Sequence, residues 1–286
     1  MLNMRTIALT GLAMVAFAAN SVLCRVALSK AAIDPATFTI VRLASGLCVL
    51  WLILLATQKT KQLGGSWPAS AALFAYATAF SFAYVSLPAG TGALLLFGAV
   101  QATMVAYGLI CGERLNSSQW LGLTIAIAGL AALVAPGASS PSITGACLML
   151  IAGVAWGAYS LLGRGSADPL RETAGNFLRC APIVACLSLC VVLSGAHLSP
   201  IGLVCGILSG AIASGLGYTI WYAALPDLTR AEGASVQLSV PVIAALGSAL
   251  VLGEAITLRL SVCSLAVLGG IALVICSREH ALCRTS

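Results

Sequence analysis

Two arginines, Arg42 and Arg179, stand inside long apolar runs, each about seven residues from the start of its run. A fixed charge near the centre of a membrane helix costs about 2.5 kcal/mol or more, so each needs a reason to be there. Seven residues of helix amount to about 10 Å. At that depth an arginine either anchors its helix, stem along apolar surface and head at the interface, or gates a cavity mouth by capturing a carboxylate or capping carbonyls. The remaining polar residues at mid-run depth are neutral. Asn20, Ser21, Gln101, Tyr159 and Gln237 carry amides and hydroxyls, and Phe17, Tyr76, Phe80, Phe97, Trp156, Tyr218 and Trp221 place large rings near them. A polar group in hydrocarbon wants a partner, so each either bonds across a helix pair or faces a common cavity. A cavity of amides, hydroxyls and rings without a fixed charge suits a small zwitterion or neutral metabolite.

The other titratable residues exclude several chemistries. All eight acids (Asp34, Glu113, Asp168, Glu172, Asp227, Glu232, Glu254, Glu279) fall at run ends, in loops or in the tail. None stands where a buried proton carrier would be expected. Glu113 and Glu254 read as helix-ending residues that pair with Arg114 or Arg259. The two histidines, His197 and His280, lie outside the apolar runs, and no His-Glu-x-x-His, Gly-x-Ser-x-Gly or P-loop occurs, so neither an enzyme nor an ATP-driven pump is supported. The 11 cysteines are scattered without a Cys-x-x-Cys pair and read as small hydrophobes. No metal or cofactor is implied.

The elements that hold these residues follow from composition. The chain has 286 residues, 60% hydrophobic and 8% charged, with a mean hydropathy of +1.05. A soluble domain carries about 25% charged residues, so the chain reads as an integral membrane protein. A span needs about 20 apolar residues to cross about 30 Å. Ten candidates are found: 6–28, 35–56, 69–87, 90–110, 118–136, 143–163, 172–195, 201–223, 231–252 and 257–276. They are α-helical, because in lipid each segment must satisfy its own backbone groups and no barrel-like alternation is present. Placing the N-terminus in the cytoplasm collects Arg5, Lys59, Lys61, Arg114, Arg164, Arg171, Arg230, Arg278 and Arg284 on that side, against Arg25, Lys30 and Arg259 opposite. Both termini are therefore expected to be cytoplasmic. The net charge of +6 reports topology, and no nucleic-acid partner is implied.

The two halves repeat. "AFAANSVLCR" (16–25) lies over "AWGAYSLLGR" (155–164), Arg42 over Arg179, "YVSLP" (84–88) over "YAALP" (222–226), and "GLICGE" (108–113) over "ALVLGE" (249–254), at offsets of 137 to 141. Five spans per repeat is an odd number, so the second copy is inverted, the signature of secondary transporters with substrate bound at the repeat interface. These ordered double motifs resemble the EamA-type proteins of the drug/metabolite transporter superfamily, and within it the YddG-type amino-acid exporters. The first half reads "AFAAN" where that family has Trp-Gly, which only the second half keeps.

The resemblance implies an all-α membrane fold of ten helices in two inverted five-helix repeats, residues 1–137 and 142–286, around a central cavity. It also implies a carrier in the cell inner membrane that moves small metabolites, often amino acids outward, by alternating access. Export of other organic solutes (drugs, purines, sugar derivatives) and channel-like facilitation are the alternatives; a channel would call for a ring of charges or carbonyls and oligomeric symmetry. The internal duplication makes a monomer sufficient. Tyr84 and Tyr222 are expected in the interfacial aromatic belt, each one turn before a helix-ending proline. "GILSG" (206–210) is expected to give the eighth span a smooth packing face.

Overall fold

In a computed structural model the chain is described over residues 3–60, 63–112, 114–137, 140–163, 166–195, 197–228 and 230–283. Lys61, Glu113, Arg164 and Arg284 lie outside the described residues, as do the side chains of Arg230, Glu232, Arg278, Glu279 and His280. The described residues are helical throughout, apart from turns and one antiparallel bridge between Ile33 and Leu198.

The helices begin where the sequence supplies caps. After α1 (Met4–Ser29), the Asp34 side chain accepts from the Thr37 N–H and Pro35 follows at once, opening α2 (Pro35–Ala56). The same Asp-Pro device opens α7 (Pro169–Ser194), where Asp168 accepts from the Arg171 N–H. A capping aspartate satisfies an orphan donor, and proline at the first turn forfeits no helix bond. Ser66 caps α3 (Trp67–Ala83), and Asn116 with Gln119 forms a capping box for α5 (Ser117–Val134). Pro88 precedes α4 (Ala89–Ile110), and Ser142 caps α6 (Ile143–Leu162).

Two of the expected spans are not plain helices. The eighth runs through α8 (Pro200–Ile207), a π-helical segment at Leu208–Leu216, α9 (Gly217–Ala224) and a 3₁₀ turn at Leu225–Asp227. Gly210 explains the close fit there. A Cβ on it would strike the Arg42 carbonyl oxygen and Ser45 Oγ, so only glycine lets the π segment lie against α2. The ninth is broken at Leu238 into α10 (Arg230–Gln237) and α11 (Ser239–Leu252), and α12 (Leu258–Cys283) follows. Among the described residues, nine segments are long and apolar enough to cross a membrane. Beside them α3, with 17 residues, is about 25 Å long.

Packing exchanges elements between the halves. α1 packs on α9, α11 and the π segment, while α6 packs on α3 and α4. α2 lies against α7, α4 against α11, and α5 against α12. Ile110, Leu193, Leu250 and Leu258 stand almost fully exposed on the outer faces, as a chain solvated by lipid requires.

Candidate functional site

Six of the rings selected from the sequence, with Asn20 and Ser21, converge on one small cavity. Phe17, Asn20, Ser21, Tyr76, Phe80, Phe97, Trp156 and Tyr218 line it together with Leu96 and Ala213. Its volume is about 20 Å³, room for about one water molecule. The rings hold one another. Tyr76 lies 4.8 Å from Trp156 and 5.4 Å from Phe80, Trp156 lies 5.2 Å from Tyr218, and Phe17 meets Tyr218 edge-on at 5.9 Å. Such spacings are those of favourable offset and edge contacts. The polar part is a short chain: Ser209 Oγ donates to Asn20 Oδ1 at 2.5 Å, and Asn20 Nδ2 approaches the Tyr76 hydroxyl at 3.5 Å.

The remaining selected residues stand outside this lining. Tyr159 is buried behind Trp156, ring centroids 5.4 Å apart. Trp221 meets Phe17 at 6.1 Å. Gln101 is buried on α4, one turn beyond Phe97. Gln237 Nε2 donates to the Gly233 carbonyl, 3.4 Å away, beside the break between α10 and α11.

Arg42 is not an interfacial anchor. It is 2% exposed, and its guanidinium turns inward because Tyr76, Phe80 and Ser214 offer contacts there. Nη2 donates to the Tyr76 hydroxyl at 2.9 Å and Nε reaches Ser214 Oγ at 3.4 Å. Cζ stands 5.0 Å from the Tyr76 ring centroid and 4.8 Å from that of Phe80, a cation–π arrangement. Nη1 has no hydrogen-bond partner. Arg179 caps backbone instead: Nη1 donates to the Gly64 carbonyl at 2.6 Å and to the Gly175 carbonyl at 3.1 Å.

A second cavity, about 240 Å³, lies toward the end of the molecule where α2 finishes and α7 begins. Lys59, Asp168, Thr173, Tyr222 and Tyr218 are among its walls. Tyr218 thus lines both cavities and stands between them. At the rim Lys59 Nζ pairs with Asp168 Oδ2 at 2.9 Å, and Arg171 stands 3.5 Å from the same oxygen. Burial raises the Asp168 pKa, but the Lys59 hydrogen bond, the Arg171 backbone N–H and the two positive charges outweigh it and hold the carboxyl below its usual range.

The opposite end is bridged by an ion pair and its backbone contacts. Arg25 Nε donates to Glu254 Oε1 at 2.7 Å, and Arg25 Nη1 donates to the carbonyls of Tyr84 and Val85, each at 3.0 Å. Glu254 Oε2 accepts from the Ala89 N–H at 2.8 Å, a carboxylate at a helix N-terminus. Glu254 therefore does not pair with Arg259, whose guanidinium goes to the carbonyls of Ala132 and Ala135. Nor is Tyr84 a belt residue. It is fully buried, donates to the Ala89 carbonyl at 3.3 Å and lies on Gly92, where any Cβ would meet its ring. Ser209 stands in the sequence only as part of the GILSG packing stretch, and nothing in the sequence marks Asn176 or Ser214, although each is a polar residue in an apolar run.

Comparison with known proteins agrees with this architecture. The model of the EamA-like transporter family matches residues 4–135 and again 143–276. An uncharacterized protein of Pseudomonas aeruginosa is 56% identical over 275 residues, 96% of each chain. An "Uncharacterized transporter" of Archaeoglobus fulgidus is 25% identical over 198 residues, 68% of this chain and 70% of that protein. A "Probable terminal-alkyne amino-acid exporter" of Streptantibioticus cattleyicolor is 25% identical over 187 residues, 63% of this chain and 62% of that protein. One crystal structure superposes with a TM-score of 0.63 over 92% of this chain and 95% of its own, at 20% identity, which supports the fold. A twice-matched family model, apolar helices with lipid-suited faces and a shared aromatic cavity lead to one conclusion: the chain belongs to the EamA-like transporter family and is a multi-pass membrane protein, not an enzyme.

Proposed function

We propose that this protein is a secondary carrier that exports amino acids or similar small metabolites across the cell inner membrane by alternating access, as YddG-type exporters do. Its ten spans form two inverted five-helix units, residues 1–137 and 142–286, with both termini cytoplasmic and the substrate cavity between them. One observation carries the reading: Tyr218 is shared by a small aromatic–amide cavity and a larger vestibule, while the far end is bridged by Arg25 and Glu254. A cavity closed at one end and approached from the other is what alternating access requires, and a channel does not need it. The exchanged packing of α1 and α6 supports the two-fold relation of the halves.

Lys59 and Arg171 at the vestibule rim fit a cytoplasmic face, so the state described opens toward the cytoplasm. The name of the Streptantibioticus relative supports amino acids as the cargo and export as the direction. Phe17, Asn20, Ser21, Tyr76, Phe80, Phe97, Trp156 and Tyr218 are the proposed substrate contacts, with Tyr159, Trp221, Gln101 and Gln237 behind them. Arg179 braces the vestibule side through Gly64.

Proteoliposomes of the purified protein, offered a panel of labelled amino acids, purines and sugar derivatives, test the proposal. Saturable flux of amino acids is expected. Saturable flux confined to another class would reassign the cargo, and no flux with any member would refute the carrier.

A further inference from the structure

We infer that Arg42 is the positive pole of a carboxylate-recognition site and the residue that sets this carrier's preference for solutes with a free carboxylate. The inference rests on the carrier reading and assigns a specificity-determining residue to it.

Arg42 is buried within the membrane-spanning part, yet none of the ion pairs among the described residues includes it. Its hydrogen bonds go to two neutral hydroxyls, those of Tyr76 and Ser214. A buried charge without a counter-charge is costly, and stacking on Tyr76 and Phe80 offsets only part of that. Donors are in excess around it. Arg42 Nη1 has no acceptor. The Tyr76 hydroxyl accepts from both Arg42 and Asn20, and the Asn20 carbonyl oxygen is already engaged by Ser209. The group that would complete this network is an acceptor carrying negative charge. A carboxylate supplies both, and it matches the guanidinium fork.

The same residues say what the carboxylate is attached to. Tyr76 and Phe80, on which the guanidinium rests, are also walls of the cavity, and Trp156 and Tyr218 face them. Rings of this kind bury an apolar or aromatic body. No acid lines the cavity, so an ammonium group meets ring faces and the neutral Asn20 and Ser21, and an organic cation without a carboxylate is opposed by Arg42. A volume of about 20 Å³ requires the site to widen as substrate enters. The long Arg42–Ser214 contact, 3.4 Å, is the one that movement of the π segment would release to the ligand.

Counterflow of labelled L-phenylalanine in proteoliposomes, competed by 3-phenylpropionate, L-phenylalaninamide and phenethylamine, tests this with the wild-type protein. The acid is expected to compete about as well as phenylalanine, and the amide and amine about tenfold less well or worse. Arg42→Gln is expected to abolish that difference, and Tyr76→Phe, which keeps the ring, to reduce it. Equal competition by all four compounds would overturn the inference and leave the carrier standing. If phenylalanine is not carried, the same series is run on the solute that is, and indifference to loss of its carboxylate would overturn the inference likewise. Absence of all flux would overturn both. If Arg42→Gln does not fold, the competition series decides alone, with Tyr76→Phe as its check.

Discussion

Arg25 and Glu254 meet at 2.7 Å although 229 positions of chain separate them. Their bridge joins the end of α1 to the turn after α11. Through Tyr84, Val85 and Ala89 it also fastens the α3–α4 turn. Both side chains are about 16% exposed, so breaking the pair leaves a charge with little water to replace its partner.

Glu254→Gln is expected to destabilise the protein by about 1–3 kcal/mol and to lower transport. The Arg25→Glu, Glu254→Arg double exchange is expected to recover part of both. Thermal unfolding in detergent and initial transport rates provide the measurements. A double exchange no better than the single variants would mean that the pair does not act as a clamp.

The vestibule rim has its own pH signature. Because the folded Asp168 carboxyl is held below its usual range, its contribution to stability is complete above the usual carboxylate pKa of about 4. It is lost as pH falls through the lowered value. The stability difference between wild type and Asp168→Asn should therefore stay constant from about pH 8 to pH 5 and shrink only in stronger acid. A difference that already collapses near neutrality would contradict the pairing with Lys59.

Trp156→Ala removes a ring that touches Tyr76, Tyr159 and Tyr218, and transport is expected to fall about tenfold while folded protein persists. Gln101→Ala, outside the cavity lining, is expected to retain most activity. Comparable losses in both would move the substrate site toward α4.

Gly210→Val would force a side chain into the Arg42 backbone and should cost about 1–3 kcal/mol, read as a lower unfolding temperature. Unchanged stability would mean that the π segment does not rely on that contact.

Much of this architecture was legible because the bilayer simplifies the problem. Apolar length marked the helices, and rings and amides inside apolar text stood out; Phe17, Asn20, Tyr76, Trp156 and Tyr218 do surround one cavity. What escaped is direction around a helix. Position along the chain gave the depth of Arg42, but not that it faces Tyr76 instead of lipid. Tyr84 reads alike whether its ring meets headgroups or Gly92. Glu254 has Arg259 five residues away, yet tertiary packing delivers Arg25. The π segment of Leu208–Leu216 contains no proline or charge to announce it. It arises where small residues allow α2 to come close.

Counterflow is the most direct test of the central claim that one cavity is exposed to each side in turn. Vesicles loaded with unlabelled phenylalanine should take up external labelled phenylalanine above its equilibrium level, transiently, because each inward return of the carrier is coupled to an outward one. Entry that merely relaxes to equilibrium, at a rate indifferent to the internal amino acid, would contradict alternating access and favour a channel.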